Sequence, residues 1–376
     1  STDAAITINN SDGTCTANLS NRQNRNLIIN GAMQVAQRGT SSTTIGYQTV
    51  DRFSMSFGGE DEDPTQAQVD LSSSDTPYSS GFRKAFKITN GNQTSTGGSD
   101  FMALLYKIEA QDIANSGWNY TDPNSKLTIQ FWAKSSVAKT FIISFYAADG
   151  TPRQYNHKYT LAANTWTKVT HTIPGSSTLV FDNNNETGLN IEIFQYIGTN
   201  LTSGSTVDQW VTYVGSSSTP DDTDDWWTAN DATFEITGVQ LEVGSVTDFE
   251  HRSFAQELAL CERYCQIIMD GGDANDSNQH DILGVSYSAD NVQVPTPTRT
   301  RMRAAPSMTA TTGSFYWRCF FSGTSVYMDA VSLDRESPDT VSITFSSPSG
   351  GNISQGTTCF IRTNTGSSRI FLTAEL

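Results

Sequence analysis

The sequence predicts a mainly β protein: a large jelly-roll-type β-sandwich, one connecting α-helix and a smaller C-terminal all-β domain. Short runs that alternate apolar and polar residues recur along most of the chain, between clusters of Gly, Asn, Ser and Pro. A single stretch, starting near residue 253, combines helical spacing with a capping signal. No repeat of solenoid or propeller period is present.

In chain order, residues 1–25 form a polar arm with one alternating patch, "AITI", too short to bury a core. Residues 26–252 form the sandwich, with strands expected at "RKAFKIT", "FMALLYKIEA", "KLTIQFWAKS", "TFIISFYAA", "WTKVTHTI", "LNIEIFQYI" and "ATFEITGVQLEV". In the last of these, Phe234 and Ile236 share one face, whereas Val239, Leu241 and Val243 have the opposite parity. One extra residue must reset the alternation, so a β-bulge is expected at Thr237–Gly238. Ser253 lies three residues before Gln256, a capping-box spacing, and a helix is expected over 253–270. Along it Phe254, Leu258, Cys261, Cys265 and Ile268 recur at spacings of 4, 3, 4 and 3, a heptad seam. Residues 271–376 read as a second β domain, with strands at "ILGVSYS", "SFYWRCFF", "SVYMDAVSL", "TVSITFS", "TCFIRT" and "RIFLTAEL".

Composition excludes several functions. The chain has 23 Lys and Arg against 39 Asp and Glu, a net charge of −16. That argues against nucleic acid and against adhesion to anionic membranes. No apolar run approaches the roughly 20 residues that span a bilayer, so membrane insertion is not expected. The segment "STDAAITINNSDG" lacks a basic start and an apolar core, so it is not read as a secretion signal. The five cysteines include Cys261 and Cys265, whose helical spacing opposes a bridge. With no CxxC and four scattered histidines, a zinc site is not expected, and the thiols are read as reduced and buried.

Catalytic patterns are absent: no GxSxG, no phosphate-binding glycine loop and no HExxH. No spacing singles out a carboxylate pair, and the chain is not expected to be an enzyme. His157 and His171 alternate with apolar residues and are read as ordinary strand histidines. Trp118 and Tyr120 are expected in the core. Trp226 and Trp227 are adjacent, so in an extended chain they point to opposite faces. One exposed ring there, with Asp224 and Asp225 to bind hydroxyls, forms a candidate glycan site; the alternative is that loops or another subunit bury both. Arg299, Arg301 and Arg303 are expected on one strand face, paired with carboxylates.

The combination "NLIINGAMQVAQRGTSSTTIGYQTVDRFSMSFGG", "GFRKAFKITNGNQTS", "YKIEAQDIANSGWNY", "FEITGVQLEVGSVTDFEHRSFAQELALCERYCQ" and "TRMRAAPSM" resembles bacteriophage tail-fibre and receptor-binding proteins of cyanobacterial and marine hosts. The resemblance covers about residues 14–310. The central part is also similar to carbohydrate-binding modules of the galactose-binding-like jelly-roll type. It carries Lys107-Ile108-Glu109 near a "QxIE"-like strand, with Lys107 where Gln is usual, and Gln240-Leu241-Glu242-Val243-Gly244 as the closing "QLExG" strand.

The resemblance implies a virion appendage, a tail fibre or tip that is made in the host cytoplasm and adsorbs to host surface polysaccharide. It also implies a homotrimer, attached to other tail proteins through the arm. Leu258, Cys261, Cys265 and Ile268 are the residues expected at the trimer axis, and a helix packed on its own sandwich is the alternative. No cofactor is expected beyond a structural calcium, for which "GGEDEDP" (58–64) and "TPDDTDDWW" (219–227) are the candidate loops. The alternative functions are a capsid-attached fibre or structural virion protein, and a polysaccharide-degrading tailspike.

Overall fold

The computed structural model describes residues 24–272, 280–347 and 350–376, together with the backbone of Ile6–Ile8 and Cys15–Ala17. Those two short strands pair antiparallel, with Ile6 opposite Ala17. The rest of the arm up to residue 23 lies outside the described residues, and so does its expected role in assembly. The chain forms two compact units: residues 1–33 with 55–252, and residues 34–54 with 253–376.

The first unit is a sandwich of two antiparallel sheets with crossed-over strand order, a jelly-roll-like arrangement. One sheet runs Trp210–Thr212, Arg153–Leu161, Lys139–Ala147, Thr187–Ile197, Phe101–Glu109, Phe53–Gly58. The other runs Thr167–Pro174, Lys126–Ser135, Thr233–Val243, Lys84–Thr89, Thr65–Asp70. Each of the seven alternating runs expected in this region is a strand. Their inner faces hold Phe141, Ile143, Phe145, Ile191 and Ile193 on one sheet and Ile129, Phe131, Phe234 and Ile236 on the other, all buried. Rings cross the interior: Phe141 and Phe234 lie 5.3 Å apart, and Phe131 meets Tyr159 edge-on at 5.4 Å.

The bulge falls where the parity break placed it. Pairing of the closing strand with Lys126–Ser135 shifts register between Thr237 and Gln240. Gly238 has φ +65°, and a Cβ there would stand 2.6 Å from the Phe82 ring. Beyond the bulge the strand is capped by the segment at 26–31: Leu27 N–H donates to Leu241 O and Val239 N–H to Gly31 O, each at 2.9 Å. Within the "QLExG" sequence, buried Glu242 accepts from Gln240 Nε2 at 2.9 Å and from Thr247 N at 2.8 Å, so this carboxylate fastens the following turn.

The second unit has a seven-stranded sheet in the order Thr324–Met328, Trp317–Phe321, Thr358–Thr363, Asp281–Ser286, Asn291–Pro297, Thr340–Ser346, Ala330–Glu336, and a three-stranded sheet of Cys265–Asp270, Arg369–Thr373 and Ser307–Ala310. Trp317, Ile343, Phe345, Ile361 and Leu372 lie in its core. The run "SVYMDAVSL" breaks into two strands at Asp329, whose backbone N–H donates to Ser346 O.

The long helix is corrected here. The capping box of Ser253 and Gln256 forms, but the helix spans only Phe254–Cys261. A turn follows, in which Tyr264 N–H donates to Cys261 O, and Cys265–Asp270 is a strand paired with Arg369–Thr373. Ile267 and Ile268 are β-branched, and strand partners about a hundred residues later outweigh the local 4-3 spacing. The heptad seam of Leu258, Cys261, Cys265 and Ile268 therefore does not exist as a helix face. Cys261 and Cys265 are buried inside this unit, and Ile268 packs against its core, so the axial-helix trimer is overturned. The turn is anchored from within the unit: Gln37 Nε2 donates to Cys265 O at 2.7 Å, and the Arg52 guanidinium lies 3.4 Å over the Tyr264 ring.

The arginine row is corrected in part. Residues 299–303 are not a strand, although carboxylate pairings form at Arg299 and Arg301. Arg299 meets Glu262 at 3.0 Å and Arg301 meets Asp339, and Arg303 donates to the carbonyls of Ala374 and Glu375.

Candidate functional site

The strand Thr187–Ile197 builds the site by plain alternation. Leu189, Ile191 and Ile193 enter the core, so Asn190, Glu192 and Phe194 face away from it. Neighbouring strands align like residues beside them. Tyr146 stands opposite Asn190, Ser144 opposite Glu192 and Ile142 opposite Phe194. One strand further, Gln154 stands opposite Tyr146 and Asn156 opposite Ser144. The outer face of this sheet thus carries an ordered polar and aromatic patch above an apolar floor of Ala103, Ile142, Phe194 and Ile197.

The segment 198–219 walls one side of the patch. Gln154 Nε2 donates to Ser205 Oγ at 2.9 Å and Ser217 O at 2.8 Å, and Asn156 Nδ2 donates to Ser205 Oγ at 3.0 Å. Between wall and sheet lies a cleft of about 250 Å³. Tyr213 meets Tyr146 edge-to-face across it, with ring centroids 4.9 Å apart, and Tyr213 keeps 39% of its surface exposed.

The polar groups of this cleft are under-used. Asn190 Oδ1 and Gln154 Oε1 have no hydrogen-bond partner among the described residues. Buried acceptors without partners cost free energy unless a ligand or water satisfies them. Burial pushes the Glu192 carboxyl up to about 7, against the pull of Lys107. Near neutral pH it can therefore donate as well as accept. Half-open aromatic rings beside amide and carboxyl groups suit a sugar, whose C–H face packs on the rings while its hydroxyls bond to the polar groups. Sequence reading missed these residues, although "LNIEIFQYI" carried a signal: Asn190 and Glu192 are polar residues at strict alternation in an otherwise apolar strand.

The glycan platform expected at Trp226 and Trp227 is overturned, because both side chains are 0% exposed. Their indole N–H groups donate to Thr233 O at 3.3 Å and Ser95 O at 2.9 Å. The chain turns here instead of extending, which lets both rings enter the interior; Asn90 Nδ2 donates to Trp227 O at 2.7 Å. Lys139 holds the same loop. Its ammonium, wholly buried, reaches Asp222 at 2.9 Å and Thr223 O at 2.7 Å. Desolvation by burial lowers the Lys139 pKa, while Asp222 acts to raise it. Asp224 and Asp225 are exposed, and Asp225 accepts from Thr223 Oγ1 at 2.8 Å. Trp118 is buried as expected, 6.2 Å from Tyr120.

Two carboxylates of the first acidic loop are bonded to the segment at 92–94. Asp61 accepts from Thr94 N and Oγ1, and Glu62 from Asn92 N. Among the described residues, neither loop gathers three carboxylates around one point.

No family model matches the chain, and no curated protein matches it. Among solved structures the chain is similar to the enzymatically active domain of bacteriophage CBA120 tailspike protein 4, with 12% identity over 58% of this chain and 22% of that one, at TM-score 0.31. It is similar to the family 11 carbohydrate-binding module from Clostridium thermocellum in complex with a β-1,3-1,4-mixed-linked tetrasaccharide, with 10% identity over 56% and 98% and TM-score 0.27. A cyclase from Fischerella sp. TAU also matches, with 8% identity over 57% and 94% and TM-score 0.33. The chain spans about a fifth of the tailspike's length. These similarities assign no chemistry to the residues above.

Proposed function

We propose that this chain binds glycan through the cleft of Tyr146, Tyr213, Asn190, Gln154 and Glu192. In this reading it does so as a bacteriophage tail fibre or tip that adsorbs to host surface polysaccharide. The observation that carries the binding is the set of unpartnered amide oxygens beside two half-open tyrosines. The virion role and homotrimeric assembly rest on the sequence resemblance. In such an assembly, other copies would cover the exposed row of Leu283, Val285, Tyr287 and Phe360 in the second unit.

Binding is favoured over hydrolysis because, among the described residues, Glu192 is the one carboxylate lining the cleft. Glycosidases use two, about 5–9.5 Å apart. A second reading, a polysaccharide-cleaving tailspike, draws on the raised Glu192, which resembles a general acid.

The test is retention of the purified chain on a glycan array and on host cells, intact or stripped of surface polysaccharide. The proposal expects binding to a defined subset of glycans and loss of adsorption on stripped cells, with no release of reducing ends. Equal adsorption to both kinds of cell would refute it, and released reducing ends would establish the second reading.

A further inference from the structure

Two of the histidines that looked scattered in the sequence meet in the fold. His157 lies on Arg153–Leu161 of one sheet, and His171 lies on Thr167–Pro174, the edge strand of the other. Asp208 comes from the cleft-wall segment. Its Oδ1 is 2.7 Å from His157 Nδ1 and 3.5 Å from His171 Nε2, and the three ligand atoms lie within 4.8 Å of one another. Asp208 is held in place by its backbone. It has φ +59°, in the left-handed region, and its N–H donates to Asn156 O at 2.8 Å. Strain of this kind persists where surrounding structure fixes it, and it is common at functional sites.

We propose that His157, His171 and Asp208 bind a divalent transition-metal ion of the zinc type. Two imidazole nitrogens and one carboxylate oxygen suit such an ion. Calcium and magnesium prefer all-oxygen shells. Zinc bonds of about 2.0–2.2 Å in tetrahedral geometry set neighbouring ligand atoms roughly 3.3–3.5 Å apart. The His171–Asp208 separation, 3.5 Å, matches that spacing, and the His157–Asp208 pair, a hydrogen bond at 2.7 Å, must open by about 0.6 Å to admit the ion. The imidazole rings are stacked at 3.5 Å with 16° between their planes, so both must splay to aim their lone pairs at one ion. The side chains have room to do so: His157 is 21% exposed, His171 15% and Asp208 51%, which also gives the ion a path in and leaves a fourth position for water. The Tyr155 hydroxyl, 2.9 Å from His171 Nε2, must turn away to release that lone pair.

The ion would tie together one strand from each sheet and the segment that carries Tyr213. Where the cleft binds glycan as proposed above, the site would hold one wall of it in place.

The experiment is calorimetric titration and thermal denaturation of chelator-treated full chain with zinc, calcium and magnesium. It is run in a Cys15→Ser background, because that thiol could compete. One equivalent of zinc and a rise in melting temperature are expected, with neither effect from calcium or magnesium. Asp208→Asn and His171→Ala should lose the zinc isotherm while keeping the metal-free melting temperature near the parent's. His251→Gln with His280→Gln should leave the isotherm unchanged. X-ray absorption should show two imidazole ligands. No stoichiometric zinc binding in the parent, or binding that survives both Asp208→Asn and His171→Ala, would overturn the site. Should His171→Ala fail to fold, Asp208→Asn alone decides, since its side chain is half exposed and the change keeps its shape.

Discussion

Trp226 with Trp227, and Tyr146 with Tyr213, are both aromatic pairs near carboxylates in the sandwich unit, and they differ in what their surroundings leave unsatisfied. The tryptophans are wholly buried, and each indole N–H has a backbone acceptor. The tyrosines stay partly open beside amide oxygens that have no partner among the described residues. The first arrangement is complete without a ligand, while the second has hydrogen-bonding capacity left over. Aromatic residues by themselves, then, do not mark a recognition site; the proposal for the tyrosines rests on the unspent polar groups beside them.

The largest effect should come from breaking the closed pair. Trp227→Ala removes a fully buried indole and its hydrogen bond, and should cost about 3–5 kcal/mol of stability, the range for large-to-small core changes. Chemical denaturation checks this. A midpoint shift near zero would mean that the loop does not use Trp227 to close the sandwich.

A smaller loss is expected at the bulge that shapes the closing strand. Gly238→Val forces a β-branched residue to φ +65° and against Phe82, and should cost on the order of 1–3 kcal/mol. An unchanged melting temperature would count against the bulge as a strained position.

The open pair makes a prediction about pH. Glu192 stands at about 7 in the folded chain against an ordinary 4.5. The folded state therefore holds this proton more tightly than the unfolded chain does. That contribution is complete below 4.5 and is lost as the pH climbs through about 7. Relative to Glu192→Gln, which stays neutral, the parent should be equally stable in acid, progressively less stable as the pH rises from 4.5 to about 7, and level above that. Parallel melting curves across that range, or a parent that gains on the variant, would show that Glu192 is not buried as described.

Legibility in the sequence followed the range of the interaction. Strands such as Lys126–Ser135 and Thr340–Ser346 were readable because a period of two is local, and so was the bulge, a break in parity within one strand. The capping box at Ser253 was also local and correct. The helix was drawn too long because its competitor, the strand Arg369–Thr373, lies about a hundred residues downstream. The tryptophans misled because adjacent residues point apart only if the chain is extended, and there it turns. The cleft escaped notice because Ser144, Tyr146, Gln154, Asn190 and Glu192 come from three strands and Tyr213 from a loop, so only strand order unites them. His157, His171 and Asp208 were hidden for the same reason.

The most direct measurement is glycan retention by Tyr146→Ala with Tyr213→Ala, on the array that defines the parent's ligand, alongside its denaturation midpoint. Both rings sit at the surface of a cleft and outside the sandwich core, so the double variant should fold with a midpoint close to the parent's and lose retention. Retention at the parent's level by a folded double variant would contradict the assignment of glycan binding to this cleft.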